Sequence, residues 1–115
     1  YAKSIMKLVH KVSVKGIAHI TGGGFPEKLG RILPKGVSIV IYSNSWKPLP
    51  IFNVLQKFGR ISKQEMFNTF NMGVGMAVVV GKGDAEKTLK VLKACKEQAF
   101  VIGEVVKGRS GVLIK

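Results

Sequence analysis

Residues 16–27, GIAHITGGGFPE, combine three signals that decide how this 115-residue chain is built. A short run typical of a β-strand leads into three consecutive glycines. Pro26 follows at a position that the first turn of a helix tolerates. The stretch therefore predicts a strand, a glycine loop and a helix in direct succession.

The hydrophobic pattern on both sides of this unit predicts further elements in alternation. Helices are expected over residues 1–12, 27–33, 51–58, from the capping box at 62–65 onward, and 84–99. Strands are expected over residues 16–20, 37–42, 72–80, 100–106 and 112–114, the last two forming a hairpin. Gly59 is expected to cap the helix over 51–58. This order predicts an α+β fold in which a mixed β-sheet is flanked by helices in layers.

Length and composition limit the kinds of protein to which this chain can belong. The length predicts a single domain over residues 1–115, and the first helical pattern begins without a cap, so we expect a piece of a longer chain. The single cysteine, Cys95, excludes an internal disulfide and fits a cytoplasmic protein. No apolar run is long enough to span a membrane. The six carboxylates are scattered, so no metal site is predicted.

The net charge of +13 favours anionic ligands, and a small basic nucleic-acid-binding domain is the alternative function. The positive residues are mostly lysines spread along the chain, however, without basic–aromatic interleaving or a recognition-helix pattern. Diffuse lysines are most often a solvated surface.

The glycine loop has two interpretations. Glycines that follow a strand and precede a helix allow backbone N–H groups to surround a phosphate. The loop matches neither the Walker A motif nor the dinucleotide fingerprint, and a flexible turn is the other interpretation. His19, three residues before the loop, is either a proton carrier or phosphate donor, or a histidine bonded to backbone.

A second candidate segment is EMFNTFNMGVGM, residues 65–76. Gly73 and Gly75 precede an apolar strand, where glycine is costly unless a ligand or a neighbouring element approaches the backbone closely. Asn71 is suited either to bind a substrate or to cap a turn.

Taken together, HITGGGF at 19–25 and the 65–76 segment resemble the C-terminal domain of the aminoimidazole ribonucleotide (AIR) synthetase family, the phosphoribosylformylglycinamidine cyclo-ligases of purine biosynthesis. The resemblance extends over essentially all 115 residues and includes RILP at 31–34, Trp46 and PIF at 50–52. The sequence departs from the family pattern at Lys28, Gly30 and Asn68.

The resemblance implies an ATP-dependent ligase that closes the imidazole ring of formylglycinamidine ribonucleotide. It also implies a homodimer whose N-terminal domain, absent from this chain, binds most of the ATP and Mg²⁺. His19 would then be the catalytic residue. The residues implied to bind substrate or phosphate are Thr21, Gly22, Gly23, Gly24, Asn71, Gly73 and Gly75.

Overall fold

A computed structural model of the chain describes residues 1–21, 24–109 and 111–115. Over these residues the fold has five α-helices and five strands. The helices are α1 (Ala2–Lys11), α2 (Gly24–Gly30), α3 (Pro50–Gly59), α4 (Lys63–Thr69) and α5 (Ala85–Ala94). The strands are β1 (Val14–His19), β2 (Val37–Ile41), β3 (Met76–Val80), β4 (Gly103–Lys107) and β5 (Gly111–Ile114). Their interspersed order confirms the α+β prediction.

The chain divides into two compact units. The first unit comprises Tyr1–Ile17 and Val78–Val101, and the second comprises Ala18–Ala77 and Ile102–Lys115. Strands β1 and β3 form a two-stranded sheet. The predicted site residues that the structure describes all belong to the second unit.

In the first unit α1 packs against α5. Leu8 is fully buried, as its position on the apolar stripe of α1 predicts. The Ser4 hydroxyl donates a hydrogen bond of 3.0 Å to the Glu97 carboxylate beyond the end of α5. The Thr88 hydroxyl bonds the Asp84 carbonyl at 2.8 Å, which ties the first turn of α5 to the preceding 3₁₀ turn.

In the second unit the sheet has the order β4-β2-β5. β4 is antiparallel to β2, with Ile41 opposite Gly103, whereas β5 is parallel to β2, with Ile41 opposite Ile114. The predicted hairpin between the last two strands is therefore wrong. β2 is buried from Ser38 to Ile41, and a strand buried in this way needs a hydrogen-bonded neighbour on each side.

The core of the second unit fills the space between this sheet and α2 and α4. Its largest fully buried side chains are Phe25, Ile20, Leu29, Ile41 and Met66. Because α2 directly follows the glycine loop and α4 directly precedes the 70–75 segment, this core fixes both candidate segments.

Two helix ends differ from the predictions because residues other than glycine adopt left-handed backbone. α5 ends at Ala94 and not near residue 99, since Lys96 has φ 63°. The N–H of Glu97 then reaches the Leu92 carbonyl at 3.0 Å, as in a Schellman motif. Similarly α3 is capped by Arg60 at φ 51° and not by Gly59.

Candidate functional site

The end of β1 lies directly beside the 71–75 segment. The Ile20 N–H donates a 3.0 Å hydrogen bond to the Gly75 carbonyl, one residue beyond β1 and one before β3. Ile20 is buried in the core, whereas His19 and Thr21 on either side of it are exposed. The structure therefore brings the start of the glycine loop next to Gly75 and leaves the flanking polar side chains accessible.

Gly24 ends the loop and begins α2 in a conformation that only glycine fits. Its φ is +63°, and a Cβ built there would lie 2.1 Å from the Phe67 carbonyl oxygen. Close packing of α2 on α4 thus explains this glycine without any ligand.

The predicted phosphate-binding role needs a correction at Gly24. Its N–H already donates a 3.0 Å hydrogen bond to the Thr21 carbonyl, so this donor is not available to an anion. Gly22 and Gly23, the other two predicted donors, lie outside the described residues.

The segment after α4 turns tightly before β3 begins. The Val74 N–H bonds the Asn71 carbonyl at 2.9 Å, and the central residues Met72 and Gly73 have φ of 52° and 90°. Positive φ at both positions is the signature of a type I′ turn. The predicted strand over 72–80 therefore begins only at Met76, because the backbone of residues 71–74 is used by the turn.

Asn71 is half-buried and stabilises this turn. Its Oδ1 accepts a 2.9 Å hydrogen bond from the Gly73 N–H, so the side chain caps the turn, which is one of the two roles that the sequence suggested. Among the described residues its side-chain nitrogen has no hydrogen-bond partner. Gly73 itself is exposed, and a Cβ there would come no closer than 3.8 Å to the Leu49 nitrogen. Gly73 is therefore required for its positive φ and not for space.

An aromatic cluster, which the sequence patterns did not single out, holds the two candidate segments together. Phe25, Trp46 and Phe67 pack with ring centroids 5.5–6.0 Å apart. The buried indole Nε1–H of Trp46 donates a 3.0 Å hydrogen bond to the Met72 carbonyl. Trp46 thereby holds the left-handed Met72 in place, and we interpret it as an anchor for the turn.

The charges nearest the loop are partly neutralised within α2. Glu27 accepts a hydrogen bond from Arg31 at 2.6 Å and forms an ion pair with Lys28, whose Nζ lies 3.6 Å from the carboxylate. Lys28, which replaces the usual family residue, therefore pairs with a carboxylate. Asn68, another departure from the family pattern, accepts a hydrogen bond from Gln64 at 3.1 Å.

Over the described residues no group of three or more His, Cys, Asp or Glu side chains is arranged to hold a metal ion.

A groove of about 420 Å³ lies at the end of the β4-β2-β5 sheet, but it contains none of the predicted site residues. Its lining includes Ser38, Lys107 and Arg109.

Among the described residues, one titratable group has a clearly shifted pKa, and it lies at the opposite end of that sheet. The Tyr42 hydroxyl donates a 2.9 Å hydrogen bond to Glu104, and this bond raises the pKa of the phenol above its usual value of about 10. Partial desolvation and the negative charge of Glu104 act in the same direction.

The fold is α+β, with the end of β1 hydrogen-bonded to the glycine-containing segment before β3. Comparison with known families agrees with this fold. The whole chain, residues 1–115, matches the family described as AIR synthase related protein, C-terminal domain, and the chain belongs to that family.

Its curated relatives include the phosphoribosylformylglycinamidine cyclo-ligases of Caldicellulosiruptor bescii, 46% identical over 115 residues, and Caldanaerobacter subterraneus subsp. tengcongensis, 50% identical over 114 residues. These matches cover 100% and 99% of this chain but only 34% of each relative. The chain thus spans about a third of the length of the curated relatives it matches. Among the described residues, no helix combines the length and the apolarity that crossing a membrane requires.

Proposed function

We propose that residues 1–115 form one domain, the substrate-side C-terminal domain of a cytoplasmic, ATP-dependent cyclo-ligase of purine biosynthesis. In the proposed reaction the formyl oxygen of formylglycinamidine ribonucleotide takes the γ-phosphoryl group of ATP, giving ADP. An amidine nitrogen then attacks the activated carbon, phosphate leaves with the former formyl oxygen, and the imidazole ring of aminoimidazole ribonucleotide closes.

The observation that carries this proposal is the Ile20–Gly75 hydrogen bond, at 3.0 Å. It joins the two segments that carry the resemblance, although they are more than 50 residues apart in the sequence. The close approach of Gly24 to Phe67 adds a second contact between the same parts of the chain. The two segments also carry the exposed side chains of His19 and Thr21 and the side-chain nitrogen of Asn71, which a shared site made of both segments would use.

Each predicted site residue except Gly24 has a proposed role at this junction. The N–H groups of Gly22 and Gly23 bind a phosphate group, because the Gly24 N–H is already used. His19, exposed at the end of β1, donates a hydrogen bond to substrate or to the leaving phosphate. The Asn71 side-chain nitrogen is the donor from the facing turn. Thr21, Gly73 and Gly75 complete the lining by their backbone.

The described residues of this chain do not fit a magnesium site, because they offer no cluster of carboxylates. We therefore assign ATP and Mg²⁺ mainly to the N-terminal domain of the proposed whole enzyme, and we derive no step through the metal from this chain. The same enzyme is proposed to be a homodimer. In this proposal the chain supplies only one side of the active-site cleft, and one side alone cannot position both ATP and the substrate. We therefore expect the 115-residue chain alone to show no turnover.

A chimera tests the proposed activity. The matching third of the C. bescii relative is replaced by this chain, a swap that the 46% identity supports. We expect the chimera to release phosphate and form aminoimidazole ribonucleotide. A folded chimera that does neither would contradict the function. Binding of the 115-residue chain to mixed RNA, weakening steeply with salt, would favour the nucleic-acid alternative.

The role of His19 is tested in the same chimera. His19→Ala is expected to lower kcat by roughly 10² to 10⁴, the usual contribution of a proton-donating side chain. His10→Ala is the matched control, because His10 is an exposed histidine on α1, outside the proposed site. Equal turnover of the two variants would remove the catalytic role of His19.

A further inference from the structure

One face of α3 is apolar and uncovered. Ile51, Val54, Leu55 and Phe58 recur at the spacing of one helical face, and their exposed fractions are 53, 47, 39 and 86%. Leu49, just before the helix, is 60% exposed. The sequence pattern alone reads as an ordinary core-facing stripe, yet α3 has no buried residue. These five side chains are called the α3 face below.

The size of the α3 face distinguishes it from scattered surface residues. Together the five side chains expose apolar area on the order of 500 Å², at the upper end of the largest patch that a monomer usually shows. The largest patch of a monomer is often functional. It is large enough to form the centre of a standard interface, which buries about 800 Å² per partner.

The α3 face is attached to the candidate site. On the inner side of α3, Phe52 packs against Phe70 with ring centroids 6.0 Å apart. At the start of the helix, the Leu49 nitrogen lies 3.8 Å from the position of a Cβ on Gly73. A partner seated on the α3 face would therefore also border the turn that carries Asn71.

Charge argues against a second copy of this chain as the partner. Residues 47–60 contain Lys47, Lys57 and Arg60 and no acidic residue. A two-fold contact places the same patch of both copies face to face, so it would bring these like charges together in a chain of net charge +13.

We propose that the α3 face is the surface on which this domain docks the nucleotide-binding portion of the enzyme. That portion lies within the two thirds of the curated relatives that this chain does not match. The inference rests on the proposed function, which requires a second domain at the edge of the 71–75 segment. The docked surface must be apolar at its centre, and its rim must carry acidic groups to pair with the lysines.

The test compares hydrogen exchange in the isolated 115-residue chain with exchange in the C. bescii chimera. Amides of α3 are expected to exchange about tenfold or more slowly in the chimera, because docking covers the helix. Phe58→Glu in the chimera should abolish this protection. Phe100→Glu should not, because Phe100 is an exposed aromatic residue outside α3, with 51% of its surface accessible.

Equal exchange of α3 in the isolated chain and the chimera would overturn the proposal, as would protection that survives Phe58→Glu. Analytical sedimentation tests whether a second copy of the chain binds the α3 face instead. If the isolated chain is a dimer that Phe58→Glu converts to a monomer, the α3 face binds a second copy and the proposal fails. A chimera with turnover but unprotected α3 contradicts the docking alone. A chimera without turnover but with protected α3 contradicts the function and leaves the docking supported.

Discussion

Gly24→Ala is the substitution that tests most sharply how the glycine loop joins the core. At φ +63° an alanine adopts a left-handed conformation that costs about 1–2 kcal/mol. Its Cβ would also lie 2.1 Å from the Phe67 carbonyl oxygen and 3.0 Å from that of Asn68, both of them backbone atoms. Relieving this contact requires α2 and α4 to separate by roughly 1 Å, and overpacking of this kind costs about 1–3 kcal/mol.

The two costs add to a loss of about 2–5 kcal/mol in the free energy of unfolding. For a chain of this length the melting temperature should fall by about 10 °C or more. Urea unfolding followed by circular dichroism, with thermal melting beside it, measures both quantities.

Gly30→Ala is the matched control, because Gly30 ends the same helix and a Cβ added there would meet no neighbouring atom within 4 Å. There the substitution should be neutral or stabilise the protein by up to about 1 kcal/mol. If the two variants unfold within about 0.5 kcal/mol of each other, the packing derived for Gly24 is refuted.

Three further predictions concern single interactions. Trp46→Phe should cost about 1–3 kcal/mol in unfolding free energy, because the buried Met72 carbonyl loses its 3.0 Å partner. Ser62→Ala should cost about 1 kcal/mol, since the Ser62 hydroxyl accepts the Glu65 N–H at the start of α4. In a Tyr1→Phe background, Glu104→Ala should lower the pKa of Tyr42, read from the ultraviolet absorbance of the phenolate, because it removes the 2.9 Å hydrogen bond and the nearby negative charge.

The raised pKa of Tyr42 also sets a direction for stability. The folded state favours the protonated phenol, so this contribution is fully present below pH 10 and is lost as pH rises through the folded pKa. Glu104→Ala should therefore flatten the fall in stability above pH 10. An unchanged phenol titration in Glu104→Ala would contradict the assigned cause, and unchanged unfolding in Trp46→Phe or Ser62→Ala would contradict those hydrogen bonds.

Local patterns predicted the elements well where local chemistry determines them. The stripe of α1, the Ser62 cap of α4 and the β-branched run of β2 all lie close to where the sequence indicates. Each of these depends on neighbours within a few residues along the chain.

The wrong predictions concern features that depend on contacts between residues distant in the sequence. β4 and β5 read as a hairpin because they are close in sequence, yet both pair with β2, which is buried and lacks other partners. α5 ends early, at Ala94, because Lys96 adopts left-handed backbone, and lysine is a residue type that gives no sequence signal for this conformation. The apolar stripe of α3 is exposed, although a stripe of this kind usually faces a core.

The candidate site was predicted as two separate segments, and the resemblance was needed to connect them. The Ile20–Gly75 bond and the Trp46–Met72 bond join residues that no spacing rule relates. The hydrogen bond from the Gly24 N–H to the Thr21 carbonyl depends on the geometry of the turn. Three consecutive glycines do not determine that geometry, because glycine adopts many backbone conformations.

The central claim is that the glycine loop and the 71–75 turn form one site for a phosphorylated substrate. The most direct measurement is the amide NMR spectrum of the 115-residue chain during titration with formylglycinamidine ribonucleotide. We expect the amides of residues 19–24 and 71–75 to shift together with one dissociation constant. Shifts confined to one of the two segments, or spread evenly over the lysine-bearing surface, would contradict it.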